Sequence, residues 1–185
     1  MTPFFASWFG LGYLPKMPGT WGTLGVMPLL YILYWTSFKF TLRFDLIVLA
    51  ASIITFFWGW WLCFNILEKF RIEDRQSLLA RSDKKKYDPS WIVIDEVSGF
   101  LLTVSLVFFG KAICLSVLGH VQSTVLIFAS FILFRIYDIL KPWPIHAVET
   151  WMSSQERFQS LSIMLDDIIA AVMAAATIYI VFYWF

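Results

Sequence analysis

Residues Leu46 to Leu67 read LIVLAASIITFFWGWWLCFNIL, twenty-two consecutive positions without a charged side chain. A helix rises 1.5 Å per residue, so this stretch is long enough to cross the ~30 Å hydrocarbon core of a bilayer. That reading decides the fold class. Working outward, Ile168 to Phe185 forms a second uncharged run of eighteen. Leu24 to Phe38 is shorter and carries Pro28, which predicts a tilted, kinked or half-inserted span. Ile92 to Leu140 is too long for one span; Gly110-Lys111 and Gly119-His120 predict a hairpin between two antiparallel helices. The expectation is an all-α, polytopic helical membrane protein with about five membrane-embedded helices, a single domain over residues 1–185.

Composition agrees: 59% of the 185 residues are apolar and the mean hydropathy is +0.73, more than a soluble core of this size requires. Only 15% are charged and the net charge is +1, so no basic field exists to recruit nucleic acid. Cys63 and Cys114 lie in apolar runs without a CxxC or a histidine at ligand spacing, which supports neither a disulfide framework nor a zinc site. Phe4 to Leu14 is too short to span and reads as interfacial or re-entrant. The first fifteen residues lack the basic n-region and small-residue cleavage site of a removable signal peptide.

Basic residues set the orientation. With five spans, Lys16, Lys69, Arg71, Arg75, Arg81, Lys84, Lys85, Lys86, Arg135, Lys141 and Arg157 share one side, against Lys39, Arg43 and Lys111 on the other. The richer side is cytoplasmic by the positive-inside rule, with Trp8, Trp21, Trp91, Trp143 and Trp151 at its interface and Trp35 and Trp184 at the opposite one. Lys84-Lys85-Lys86 reads as a solvated segment against anionic headgroups, worth about 1 kcal/mol per basic residue. All thirteen acidic residues except Asp45 also fall on the cytoplasmic side. Orientation scarcely depends on Asp and Glu, so this second asymmetry needs a separate cause.

Asp88-Pro89 reads as an N-cap followed by a proline at the first helical position, which starts the third span there. Asp95 and Glu96 then lie about two turns in, roughly 10 Å along the axis. A carboxylate at membrane depth costs about 3 kcal/mol on insertion scales, so two adjacent ones either lie shallow at a wet helix end or need water, a cation or a basic partner. At the end of the fourth span Arg135, Asp138 and Lys141 recur at spacing three, on one helix face, before Pro142. They form either a surface ion-pair ladder or part of a site. Asp138 in a last turn opposes the helix dipole, which a bound cation would offset. Asp166 and Asp167 open the fifth span, where the dipole favours anions and helix-start stabilisation explains them equally well.

Carboxylates converging from three antiparallel helices on one membrane face, with no His or Cys, are hard oxygen ligands suited to magnesium more than zinc. Asp95, Glu96, Asp138, Asp166 and Asp167 are the candidate metal ligands. Arg135, a bidentate fork, and Lys141, a point charge, suit a phosphate group beside them. The segment Pro-Lys-Met-Pro-Gly-Thr-Trp-Gly-Thr at 15 to 23 reaches the same face, where Lys16, Gly19, Thr20 and Thr23 form either an anion cradle or an ordinary helix-opening turn. It lacks the lysine of a Walker A loop. His120 and His146 read as ordinary interfacial residues.

That segment resembles the phosphatidylglycerophosphatase A family, as do Asp-Pro-Ser-Trp-Ile-Val-Ile-Asp-Glu-Val-Ser-Gly at 88 to 99, Arg-Ile-Tyr-Asp-Ile-Leu-Lys-Pro-Trp-Pro at 135 to 144 and Met-Leu-Asp-Asp at 164 to 167. The resemblance implies an all-helical, magnesium-dependent lipid phosphatase of the bacterial inner membrane, hydrolysing the anionic phospholipid phosphatidylglycerophosphate to phosphatidylglycerol and phosphate. One departure is Gln159-Ser160-Leu161-Ser162-Ile163, where members usually carry a glycine-rich stretch.

Uncatalysed phosphate monoester hydrolysis is extremely slow, so the site must supply a large barrier reduction. The expected roles are metal and water activation by Asp95, Glu96, Asp138, Asp166 and Asp167, with Lys16, Arg135 and Lys141 clamping the phosphate. The chain has neither a CxxxxxR cysteine signature nor a DxDx[TV] motif, while direct attack by one carboxylate stays open. The rival from another class is an ion-coupled transporter, which places its carboxylates near the midplane between repeated halves. No internal repeat is visible in this sequence.

Overall fold

The computed structural model describes residues 2–77, 91–113, 121–153 and 158–184. Lys84 to Lys86, Asp88, Pro89, Cys114, Gly119, His120 and Arg157 fall outside them. The regular elements among the described residues are all helices: α1 (Thr2–Ala6), a 3-10 turn (Leu11–Tyr13), α2 (Pro18–Leu24), α3 (Met27–Phe40), α4 (Phe44–Ser77), α5 (Ile94–Ile113), α6 (Ser123–Leu140), α7 (Ile145–Ser153) and α8 (Gln159–Trp184). Four of them are long and apolar enough to cross a bilayer, over Phe44–Phe70, Ile94–Ile113, Ser123–Leu140 and Gln159–Phe182.

The remaining traverse is a broken helix. Pro18 opens α2, whose end at Gly25 is followed by Val26 as the cap of α3, and Pro28 stands in the first turn of α3. A proline there costs no hydrogen bond, so it starts this helix and does not kink it. α2 meets the N-terminal end of α5, where a Cβ on Gly22 would come within 2.7 Å of Val93 Cβ. At the other end of α3, Tyr34 packs on Phe44, and Phe44 packs edge-on to Phe108 near the end of α5. The pair α2–α3 therefore runs the length of α5, although α3 alone, at fourteen residues, reaches only about 21 Å. Four long helices and one broken traverse match the expectation of about five embedded helices.

α5 is the axis of the bundle, packed by α4, α6, α8 and α2. Phe100, Leu101, Val97 and Val104 are fully buried against Phe134 of α6 and Ala170, Ala171 and Ala174 of α8. The small residues let α8 approach closely, as membrane helix pairs require in the absence of a hydrophobic driving force. Serine hydroxyls link helices by donating to carbonyls, Ser52 to Ser98 and Ser105 to Asp45, both at 2.9 Å. The outward faces carry Phe38, Ile54, Phe57, Phe128 and Ile180, all exposed and apolar, as contact with lipid requires.

Three expectations are corrected here. Gly110 and Lys111 continue α5 and do not break it, because Gly110 makes room for the Tyr179 ring, whose hydroxyl donates to the Leu106 carbonyl at 2.5 Å. α5 ends at Ile113 and α6 starts at Ser123, and the two ends are tied where Lys111 Nζ donates to the Val121 carbonyl at 2.6 Å. Trp8 is a core residue and not part of an aromatic belt: it is 8% exposed and its indole N–H donates to the Gly25 carbonyl at 3.0 Å. A buried indole needs such a partner, and the break between α2 and α3 provides it. Finally, α5 begins at Ile94. Val93 N–H donates to the Ala6 carbonyl, Trp91 stacks on Tyr13, and the N-terminal segment thus holds residues 91–93 out of the helix. Asp95 and Glu96 lie in the first turn, not two turns inside.

Candidate functional site

The two acidic pairs exchange the environments their sequence neighbours suggest. Asp95 and Glu96 occupy a helix start, where the dipole favours them. Asp166 and Asp167 sit about two turns inside α8, because the mixed stretch from Gln159 to Leu165 is helical and packs under α7. Helix-start stabilisation therefore does not explain Asp166 and Asp167. Ser160 and Ser162 are buried there, and a helix takes the place of a glycine-rich loop.

The end of α6 supplies the cations. Arg135 Nη1 reaches Glu96 Oε1 at 3.4 Å and also pairs with Asp138. The ladder reading fails on burial: the side chains of Arg135, Asp138 and Glu96 are only 12%, 13% and 15% exposed. Lys141 caps α6 in the left-handed conformation (φ 41°), its N–H donating to the Tyr137 carbonyl at 2.9 Å, and Pro142 prevents continuation. Its ammonium pairs with Asp166 and, at 3.3 Å, with Glu149 of α7. Burial alone would depress the Lys141 pKa, but Asp166 and then Glu149 outweigh it and raise the pKa above the ordinary lysine value.

Six carboxylates thus face two cations, and the carboxylates interact with one another. Asp95 feels Glu96, Asp166 and Asp138; Asp167 feels Asp138, Asp166, Asp95 and Glu96. Among the described residues, Asp95 Oδ1, Glu96 Oε2 and Asp167 Oδ2 are buried without a hydrogen-bond partner, as is Arg135 Nε. Buried polar atoms are rarely left so, and each costs about 1–3 kcal/mol or more when charged. Among the described residues no group of three or more His, Cys, Asp or Glu side chains is disposed to hold a metal ion as it stands, since Arg135 and Lys141 engage oxygens of Glu96, Asp138 and Asp166.

The N-terminal residues divide. A Cβ on Gly19 would overlap Glu96 Oε1 and come within 2.9 Å of Arg135 Nη1, so the α2 backbone lies directly on that ion pair. Gly19→Ala is expected to cost about 1–3 kcal/mol by overpacking, read as melting temperature in detergent. Thr20→Ala, at a half-buried position, is expected to stay within about 0.5 kcal/mol. Thr23 is fully buried and its hydroxyl donates to the Gly19 carbonyl at 2.9 Å, an internal helix bond. Lys16 is exposed, with φ 65°, and makes no ion pair among the described residues. The structure brings Asp95, Glu96, Arg135, Asp138, Lys141, Asp166, Asp167 and Gly19 together and leaves Lys16 outside. Glu149 was not foreseen, because only its place on α7 brings it back to Lys141.

The family model described as Phosphatidylglycerophosphatase A matches residues 4–182. The protein of that name in Escherichia coli K12 is 27% identical over 173 residues, covering 94% of this chain and 78% of the relative. The one in Haemophilus influenzae is 30% identical over 176 residues, covering 95% and 85%. A Bacteroides thetaiotaomicron protein provisionally named a phosphatidylinositol-3-phosphatase is 29% identical over 167 residues, covering 89% and 82%. No solved structure matches significantly. The transporter reading finds no support, since the carboxylates sit at one end of the bundle and the matched proteins carry phosphatase names. Because the match runs from α1 into the last turns of α8, across every residue of the carboxylate centre, the chain belongs to the phosphatidylglycerophosphatase A family of enzymes.

Proposed function

We propose that this protein hydrolyses phosphatidylglycerophosphate to phosphatidylglycerol and inorganic phosphate in phospholipid biosynthesis, at the cytoplasmic face of a bacterial inner membrane. The observation that carries the reading is the set of three partnerless buried carboxylate oxygens beside an arginine and a lysine. Six carboxylates against two cations repel a phosphate dianion unless further positive charge enters. An all-oxygen donor set suits Mg2+, so the residues present fit that ion. Asp95, Glu96 and Asp167 would hold it through their free oxygens, with Asp138 and Asp166 drawn in from Arg135 and Lys141. Bound there, Mg2+ supplies charge neutralisation at the phosphate oxygens and a more acidic water.

The chain's own groups do the remaining work. Arg135 presents a planar fork to the phosphate and Lys141 a compact charge with one N–H left over from its two ion pairs. The close backbone of α2 at Gly19 shields the Arg135–Glu96 pair from water, which strengthens its electrostatics. The exposed Trp21, Leu140 and Trp143 border the same end of the bundle and suit the glycerol and upper acyl region of a lipid.

Purified protein in mixed micelles is expected to release phosphate from phosphatidylglycerophosphate faster than from phosphatidylinositol 3-phosphate or phosphatidic acid. Preference for the inositol lipid would move the substrate assignment. Chelation by EDTA is expected to reduce release at least about a hundredfold, with recovery on adding Mg2+ in excess. Full activity in EDTA would remove the metal from the account.

A further inference from the structure

Lys141 has two carboxylate partners of different kinds. Asp166 belongs to the buried cluster: its side chain is 10% exposed, its Oδ1 accepts the Asp167 N–H at 3.1 Å, and its Oδ2 takes the ammonium. Glu149 stands apart on α7, 25% exposed, with its carboxylate 3.3 Å from the same ammonium. The Ser162 hydroxyl donates to the Glu149 carbonyl at 3.5 Å, and α7 packs on α8, so Glu149 is anchored to the helix that carries Asp166.

An ammonium and a divalent cation cannot share Asp166 without repulsion. If Asp166 were the only acceptor, a metal would have to displace Lys141 altogether, and the lysine would leave the site when the phosphate needs it. Glu149 offers the same ammonium a second carboxylate, 3.3 Å away, and so removes that conflict. We propose that Glu149 is a positioning residue, the carboxylate that keeps Lys141 at the rim of the site, ready for the phosphate, while Asp166 turns to a cation. This inference rests on the metal-dependent phosphatase reading above. Lys141 and Asp166 touch the reacting groups in that reading; Glu149 acts only through Lys141.

The test uses the full chain in detergent, with Mn2+ as the metal probe, free Mn2+ read by electron paramagnetic resonance, and phosphate release measured in parallel. Glu149→Gln is expected to weaken Mn2+ binding about tenfold, because Lys141 then falls wholly on Asp166. KM for phosphatidylglycerophosphate is expected to rise more than kcat falls. Glu149→Asp is expected to restore most of both, and Glu149→Gln is expected to add nothing in a Lys141→Met background. Wild-type Mn2+ affinity and KM in Glu149→Gln would overturn the inference, as would an equal loss with Lys141 absent, which marks a role in folding α7. If Glu149→Gln does not fold, Glu149→Asp decides: a loss as large as that of Lys141→Met overturns the inference. Wild-type protein that releases phosphate without binding Mn2+ overturns the inference and leaves the phosphatase standing. Wild-type protein that does neither overturns both.

Discussion

Asp167→Asn is expected to lower phosphate release by about 10²–10³-fold while the detergent-solubilised protein melts no lower than wild type. The residue is 2% exposed, its Oδ2 has no hydrogen-bond partner among the described residues, and the carboxylates Asp138, Asp166, Asp95 and Glu96 all repel its charge. Asparagine has the same shape, removes one of several repelling charges and can donate to an adjacent oxygen. A purely structural aspartate behaves in the opposite way, since replacing it removes favourable contacts and lowers stability. Retained activity together with a lower melting temperature would therefore assign Asp167 to the fold and not to the reaction.

Arg135→Met is expected to destabilise the protein by about 3–5 kcal/mol, because it leaves Glu96 and Asp138 buried without their cation. Methionine keeps much of the volume, so the loss reads charge and not packing. The second change Glu96→Gln in the same chain is expected to return part of the lost melting temperature, since one of the two stranded charges is then gone. An unchanged melt in Arg135→Met would mean that the pairs are solvated in solution, and the charge-compensated centre would have to be abandoned.

Much of this architecture is legible in hydrophobicity alone. The run at 46–67 falls within α4 and residues 168–184 of the second run lie in α8, because a membrane demands a long apolar helix regardless of its neighbours. The spacing of Arg135 and Asp138 likewise places two charges on one face of α6, where they pair, whereas Lys141 leaves that face as the left-handed cap of the helix and pairs with Asp166 and Glu149. Sequence reading failed where tertiary contacts decide. Apolarity locates the start of a span and not the start of a helix, so the helical Gln159 to Leu165 stretch, held by α7, was invisible and Asp166 and Asp167 seemed to begin their helix. The start of α5 is set by a hydrogen bond from Val93 to Ala6, eighty-seven positions away. Gly110 looks like a turn residue until the Tyr179 ring packs on it. Glu149 has no periodic or motif signal at all, since its partnership with Lys141 follows from the turn at Pro142 that brings α7 back over α8.

The proposed metal-dependent phosphatase site is the carboxylate centre formed by the start of α5, the end of α6 and Asp166 and Asp167 of α8. Its most direct test is phosphate release from phosphatidylglycerophosphate by purified wild-type and Asp95→Asn protein, each titrated with Mg2+ from a chelated start. The account predicts release that rises with Mg2+ in the wild type and stays near background in Asp95→Asn at every concentration. Equal, saturating release by the two proteins would contradict it and place the chemistry elsewhere in the chain.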